Sequence, residues 1–168
     1  MKNPSSALIS LSEAVAWRQE LKNSGRRLVV TNGCFDLMHR GHASYLYETA
    51  KLADELLVLI NSDSSVRELK GKSRPLVGEK DRAYLLGALE SVSRVVVFDS
   101  QRCDRELAAL APDVYTKAGD YTLEKLDAAE RKALENGGTQ IIFMPFVSGF
   151  STTGIVEKIR CDLKSDMK

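Results

Sequence analysis

Apolar runs rich in branched residues recur along the chain at 28–31, 56–60, 95–98, 114–116 and 141–144. Between them the pattern switches to the three-and-four spacing of amphipathic helices. That alternation predicts an α/β fold with a mostly parallel, five-stranded sheet and helices on both faces. Ahead of the first strand, Ser10-x-x-Glu13 reads as a capping box. The helix it opens carries Leu11, Val15 and Leu21 along one side, and Gly25 suits its end. A second helix is expected from Ala43, with Ala43, Leu46, Tyr47, Ala50 and Ala53 as a core-facing stripe. Tyr45 and Tyr47 read as packing and surface residues rather than chemistry. Further helices are expected at 79–90, 104–110, 123–135 and 152–160, punctuated by Pro112 and Gly137-Gly138. The 168 residues thus read as a single domain: a leading helix in 1–26, an α/β core over 27–160 and a disordered tail over 161–168.

In open parallel sheets, ligands bind beyond the carboxyl ends of the strands, where the strand order reverses. The segments there are Asn32-Gly33, Asn61-Ser62-Asp63, Lys117-Ala118-Gly119-Asp120-Tyr121 and Gly149-Phe150-Ser151-Thr152-Thr153. All four are polar or glycine-bearing, as a shared site requires.

Composition narrows the function classes. A hydrophobic content of 43% with 28% charged residues describes a soluble globular protein, and a formal net charge of +1 makes no electrostatic case for nucleic acid. No apolar run reaches membrane-spanning length, and Met1 to Ser6 lacks the apolar stretch of a signal peptide. Cys34, Cys103 and Cys161 are scattered and fit neither a disulfide framework nor a zinc site, so a cytoplasmic location is expected. Cys34 reads as a small residue tolerated in a turn rather than as a reactive thiol.

The chemistry concentrates in Thr31 to His42, reading Thr-Asn-Gly-Cys-Phe-Asp-Leu-Met-His-Arg-Gly-His. A strand, a tight turn and a helix N-terminus form a cradle for phosphate. The chain's two histidines, His39 and His42, both fall here and can donate to a phosphate gaining charge. Asp36 reads as a turn anchor. The hydroxyls of Ser151, Thr152 and Thr153 exceed what one helix cap needs. Lys70, Lys72 and Arg74 form a basic loop after the second strand, where lysine acts on phosphate as a point charge and arginine as a fork.

The spacing Gly-x-Phe-Asp-x-x-His-x-Gly-His over Gly33 to His42 resembles the signature of the cytidylyltransferase-like nucleotidyltransferases. That resemblance implies a Rossmann-like, doubly wound domain. It extends through Leu69-Lys70-Gly71, Arg74-Pro75, Pro112-Asp113-Val114, Lys117-x-Gly119-Asp120-Tyr121 and Ser151-Thr152-Thr153. It implies nucleotide contacts from Asn32, Gly33, Cys34, Phe35, His39, Gly41, His42, Lys117, Gly119, Asp120, Ser151, Thr152 and Thr153. It implies catalytic roles for His39, His42 and Lys70, and acceptor contacts from Lys70, Lys72, Arg74 and Arg82. Either Lys70 or Lys72 is the phosphate contact. No metal-ligating residue is expected; Mg2+ would be held mainly by the nucleotide's phosphates. The family form has two glycines where this chain has Ala118-Gly119, so position 118 should not need positive φ.

Within the family, the chain is most similar to the branch that transfers AMP from ATP to a heptose 1-phosphate, giving ADP-heptose. The branch making CDP-glycerol from glycerol 3-phosphate is the rival. It carries an Arg-Thr pair before its Ser-Thr-Thr, where this chain has Phe146 and Val147. The resemblance further implies small-molecule partners, a homodimer and, since 168 residues leave no room for a fused kinase, a separate sugar kinase. A nucleotide-binding module without turnover is the alternative of a different class. The histidine pair argues against it, because a pure binder needs no second donor to a transition state.

Overall fold

A computed structural model describes residues 3–119, 121–145 and 149–166. Five strands, β1 (Leu28–Gly33), β2 (Glu55–Asn61), β3 (Arg94–Phe98), β4 (Val114–Ala118) and β5 (Gln140–Met144), pair in parallel in the order β3-β2-β1-β4-β5. This is the doubly wound, Rossmann-like arrangement expected from the alternation of runs. The sheet starts at its centre, grows out to β3, then returns to add β4 on the other side of β1. The reversal therefore falls between β1 and β4.

The register opens a cleft at that point. β1 and β4 pair only from Val29↔Val114 to Thr31↔Thr116. Beyond, β1 follows β2 (Asn32↔Leu59, Gly33↔Ile60), while β4 follows β5 (Lys117↔Phe143, Ala118↔Met144). The two strand ends part, and the segments after them line the gap.

Alternate residues of the strands face opposite layers, as the period of two requires. Val30, Leu57, Leu59 and Tyr115 pack against α1 (Leu11–Asn23), α5 (Asp104–Leu110) and α6 (Ala128–Asn136). Val29, Val58, Ile60 and Val114 pack on the other face against α2 (Arg40–Ala50) and α4 (Glu79–Gly87). With both faces covered, the strands read as continuous apolar runs. Before α1, a 3-10 turn over Pro4–Ala7 leads into Ile9, whose N–H donates to the Val95 carbonyl at 3.0 Å on the edge strand.

Several local expectations are corrected. The Ser10–Glu13 capping box forms, with Ser10 N–H donating to Glu13 Oε2 at 2.7 Å. The buried face of α1, however, is Ala14, Arg18 and Leu21, and Val15 is exposed. Arg18 is tolerated there because it pairs with Asp113 at 2.8 Å. α2 starts at Arg40, and its buried face is Tyr45, Leu46 and Thr49, while Tyr47 points outward. α3 (Asp63–Lys70) was not expected; Ser62 caps it, and Val66 is its one buried apolar residue. α6 begins five residues later than expected. A turn in which Leu126 N–H donates to the Thr122 carbonyl precedes it, and Asp127 accepts from the N–H groups of Ala129 and Glu130. α7 runs from Thr152 to Asp166, so 161–166 is helical rather than a disordered tail; no glycine or proline follows Gly154 to stop it. No helix among the described residues is long and apolar enough to cross a membrane.

Candidate active site

The cleft has two lobes that share His42, Tyr45, Lys70, Ala118 and Thr152. The smaller, of about 250 Å3, is lined by the first turn of α2 (His39, Gly41, His42) and the first turn of α7 (Thr152, Thr153) with Ser151. Two helix N-termini thus flank one pocket, each presenting backbone N–H groups to an anion. The larger lobe, of about 470 Å3, lies over the ends of β1 and β2. There Asn32, Gly33, Cys34 and Phe35 meet Lys117 and Lys70.

His39 caps α2: its carbonyl accepts from His42 N–H at 2.9 Å, and its Nδ1 lies 3.4 Å from the same nitrogen. This fold-back stacks the two imidazoles, with centroids 3.9 Å apart and planes at 20°. The intervening Gly41 leaves room for the stack, since a Cβ there would lie 3.0 Å from the His39 ring. Burial lowers the His39 pKa. His42 is pushed down to about 4, chiefly by burial, then by His39 and Lys70, with the nearby Leu37 carbonyl opposing. Both rings are neutral at neutral pH in the free protein. Nδ1 of His42 is buried and has no partner meeting hydrogen-bond geometry among the described residues.

On the opposite wall, Ser151 Oγ accepts from Gly154 N–H at 3.0 Å and so supplies the helix cap. Thr152 Oγ1 reaches the Leu37 carbonyl at 3.4 Å, linking α7 to the turn after β1. Thr153 is exposed on the smaller lobe. Beneath the cleft, Tyr45 OH bonds Thr31 Oγ1 at 2.7 Å and Thr116 Oγ1 at 2.8 Å, fixing α2 to the β1 and β4 ends.

The cytidylyltransferase-like family model matches residues 30–158. The chain belongs to that family. Its curated relatives include the "Bifunctional protein HldE" of Geotalea uraniireducens, 49% identical over 139 residues (83% of this chain, 28% of the relative), and that of Koribacter versatilis, 44% identical over 151 residues (90% and 31%). The chain therefore spans about 30% of the length of these relatives. Among solved structures, the lipopolysaccharide core biosynthesis protein of Thermoplasma volcanium is similar, with a TM-score of 0.60 and 30% identity over 76% of this chain and all of that one.

In this family member, the cations expected at the acceptor separate by position. Lys70, at the end of α3, lines both lobes. Lys72 is exposed on the loop beyond and lines neither. Arg74 donates through Nη1 to Asp36 at 2.7 Å, which engages it with the phosphate turn. Arg82 does not face the cleft: it is wholly buried, and its guanidinium donates to the carbonyls of Cys34, Asn61 and Val77 and to Asp63. Both arginines thus hold the site's backbone together.

Asp36 is the anchor the sequence suggests, accepting from Leu76 N–H at 2.7 Å and Val77 N–H at 3.0 Å as well as from Arg74. Burial pushes its pKa up, but these donors outweigh burial and hold it below the usual carboxylate value. Lys117 and Tyr115 both donate to Asn32 Oδ1, at 2.6 and 2.7 Å, tying the parted ends of β1 and β4. Gly119 has φ +111° and lines neither lobe, and Ala118 has no positive φ, as its side chain requires. Asp120, Phe146 and Val147 lie outside the described residues.

Sequence reasoning did not single out Tyr45, Gln101, Arg102 or Glu130, which line the cleft. The last three follow β3 or open α6, and no short motif marks them.

Proposed function

We propose that the protein transfers AMP from ATP to D-glycero-β-D-manno-heptose 1-phosphate, giving ADP-heptose and pyrophosphate. An oxygen of the sugar phosphate attacks the α-phosphorus of ATP. The bond from that phosphorus to the bridging oxygen of the β-phosphate breaks, and pyrophosphate leaves with the electron pair. A phosphate monoester is already a nucleophile at neutral pH, so the protein need supply neither a general base nor a covalent intermediate. Its work is positioning and stabilisation of charge.

The observation that carries this reading is the convergence of His39, His42, Lys70 and the hydroxyls of Ser151–Thr153 on one pocket between two helix N-termini. The neutral imidazoles donate N–H groups to the triphosphate, and Lys70, at the junction of the lobes, faces both nucleotide and acceptor phosphates. Among the described residues no carboxylate lines the smaller lobe, and no group of three or more His, Cys, Asp or Glu could hold a metal ion. That donor set fits Mg2+ carried by the nucleotide phosphates and water, where it would neutralise phosphate charge.

Choice of ATP and heptose rests on family resemblance, and the test is a pyrophosphate-release assay crossing ATP and CTP with heptose 1-phosphate and glycerol 3-phosphate. Turnover is expected with ATP and the heptose. Turnover confined to CTP and glycerol 3-phosphate would replace this reading with the cytidylyl one, and binding without release in every combination would leave a non-catalytic module.

A further inference from the structure

The larger lobe contains polar groups that the phosphate chemistry does not use. The chief one is Glu130, 3% exposed, in the first turn of α6. Its Oε1 accepts from Cys103 N–H at 3.1 Å and from Cys103 Sγ at 3.3 Å, which fixes the start of α5. Its side chain also lines the wall of the larger lobe. Burial of a carboxylate is costly unless its oxygens find donors. Here a backbone amide and a thiol serve Oε1. Around it the same lobe presents Asn61, Gln101, Arg102 and Tyr121, neutral or mixed in charge.

The two lobes differ in what they can hold. The smaller has the helix N-termini, the stacked imidazoles and the apolar Pro145 and Phe150, which suits a triphosphate and a flat base. In-line displacement places the acceptor on the far side of the α-phosphorus from the leaving pyrophosphate, hence across the shared wall of His42 and Lys70. A phosphate beside Glu130 would be repelled, whereas a hydroxyl would donate to it. The acceptor's phosphate therefore stays at Lys70 and its hydroxylated carbons extend toward α6.

We propose that the larger lobe is the subsite for the acceptor's sugar hydroxyls, and that Glu130 is its specificity-determining residue, accepting a hydrogen bond from one of them. This rests on the nucleotidyl-transfer reading above. Glu130→Gln keeps the shape and an oxygen for Cys103 N–H but removes the charge. Gln101→Ala alters an exposed residue of the same lobe and spares the core.

With the full chain, ATP and heptose 1-phosphate, Glu130→Gln is expected to raise the acceptor KM about tenfold, the scale of one charge-assisted hydrogen bond, and Gln101→Ala about threefold. The KM for ATP and the melting temperature should stay at their wild-type values in both. An unchanged acceptor KM in both variants would make Glu130 only the cap of α5 and overturn the proposal. A rise in the ATP KM alone would give the lobe to the nucleotide and overturn it equally. If Glu130→Gln melts early, Gln101→Ala decides. Should wild type accept only CTP and glycerol 3-phosphate, the heptose reading fails, and the same variants measured with glycerol 3-phosphate decide the subsite on its own. Absence of turnover with every acceptor sinks both.

Discussion

Replacing Gly41 by Ala should leave the fold intact and damage turnover, because the space a methyl group needs is occupied by the ring of His39, a phosphate donor in the proposed mechanism. Gly41 lies in the first turn of α2 with an ordinary helical backbone, so alanine meets no dihedral strain there. A Cβ at this position falls 3.0 Å from Cε1 and Nδ1 of His39 and 3.1 Å from Cβ of Phe150. Ordinary contact begins near 3.4 Å, so these neighbours must yield by a few tenths of an ångström. His39 cannot yield toward His42, since their rings already stack at 3.9 Å. It must swing away, carrying its N–H from the phosphate site.

A displacement of 1 Å can cost about 10²-fold, so a shift of roughly half that should cost about tenfold in kcat/KM, or ~1.4 kcal/mol of transition-state stabilisation. Stability should move little, because alanine's helical advantage over glycine, about 0.5–1 kcal/mol, opposes the cost of the contact. Pyrophosphate release measured beside a thermal melt separates the two effects. Full activity in Gly41→Ala would refute the reasoning, leaving the backbone N–H groups to hold the phosphate without help from His39. Loss of activity together with a drop of more than about 10 °C in Tm would show that the glycine serves the fold instead.

Removing His42 altogether, as His42→Ala, should lower kcat about 10²–10³-fold, the scale of one preorganised donor, with Tm nearly unchanged near neutral pH; more than about a third of wild-type activity would take it out of the mechanism. Because burial holds His42 near pKa 4 in the fold against about 6.5 when unfolded, the unfolded chain binds the extra proton between those values, so stability is full above pH 6.5 and falls as pH drops toward 4. Melting wild type and His42→Gln from pH 7.5 to 4.5 should show a steeper slope in wild type; His39, whose pKa burial also lowers, gives both proteins a shared slope, and Asp36 and Asp113, whose depressed pKa values act at lower pH, contribute to both. Asp36→Asn leaves Arg74 without its partner and places an amide against the N–H groups of Leu76 and Val77, so it should destabilise by about 2–3 kcal/mol, a fall of roughly 4–12 °C in Tm by calorimetry, and an unchanged Tm would deny the anchor.

The strands were legible because both faces of the sheet are covered and every run is apolar or nearly so, with Thr31 and Thr116 as the buried polar exceptions. Helices were less so wherever polar groups decide their position. α3 has little apolar content to announce it, with Val66 as its only buried apolar residue. Leu123 and Leu126 imitate helical spacing, yet Asp127 places the true start of α6 after them. Tyr45 and Thr49 occupy the buried side of α2 because their hydroxyls are satisfied there, a fact that hydrophobicity cannot register. In the site, the legible residues are those clustered within a few positions, His39 with His42 and Ser151 with Thr153. Glu130 escaped because its partner, Cys103, is 27 residues away.

The arginines show why long-range partners matter to chemistry as well as to assignment. Phe35 sits at φ 48°, in a left-handed conformation that a bulky side chain adopts only at a cost of about 1–2 kcal/mol. Its ring is buried against His42, 5.3 Å between centroids, and against Gly33, where a Cβ would approach it to 3.0 Å. A strained turn of this kind relaxes unless its neighbours over-determine it. Arg82 grips the Cys34 carbonyl immediately before Phe35, and Asp36 immediately after it is gripped by Arg74 and the 76–77 amides. The charges that sequence reasoning sent to the substrate are therefore clamps on either side of the strained residue. Through Phe35 they fix the ring of His42, so the donor that the proposed mechanism needs is in place before any nucleotide arrives. An imidazole held that way pays its ordering cost on folding rather than at the transition state.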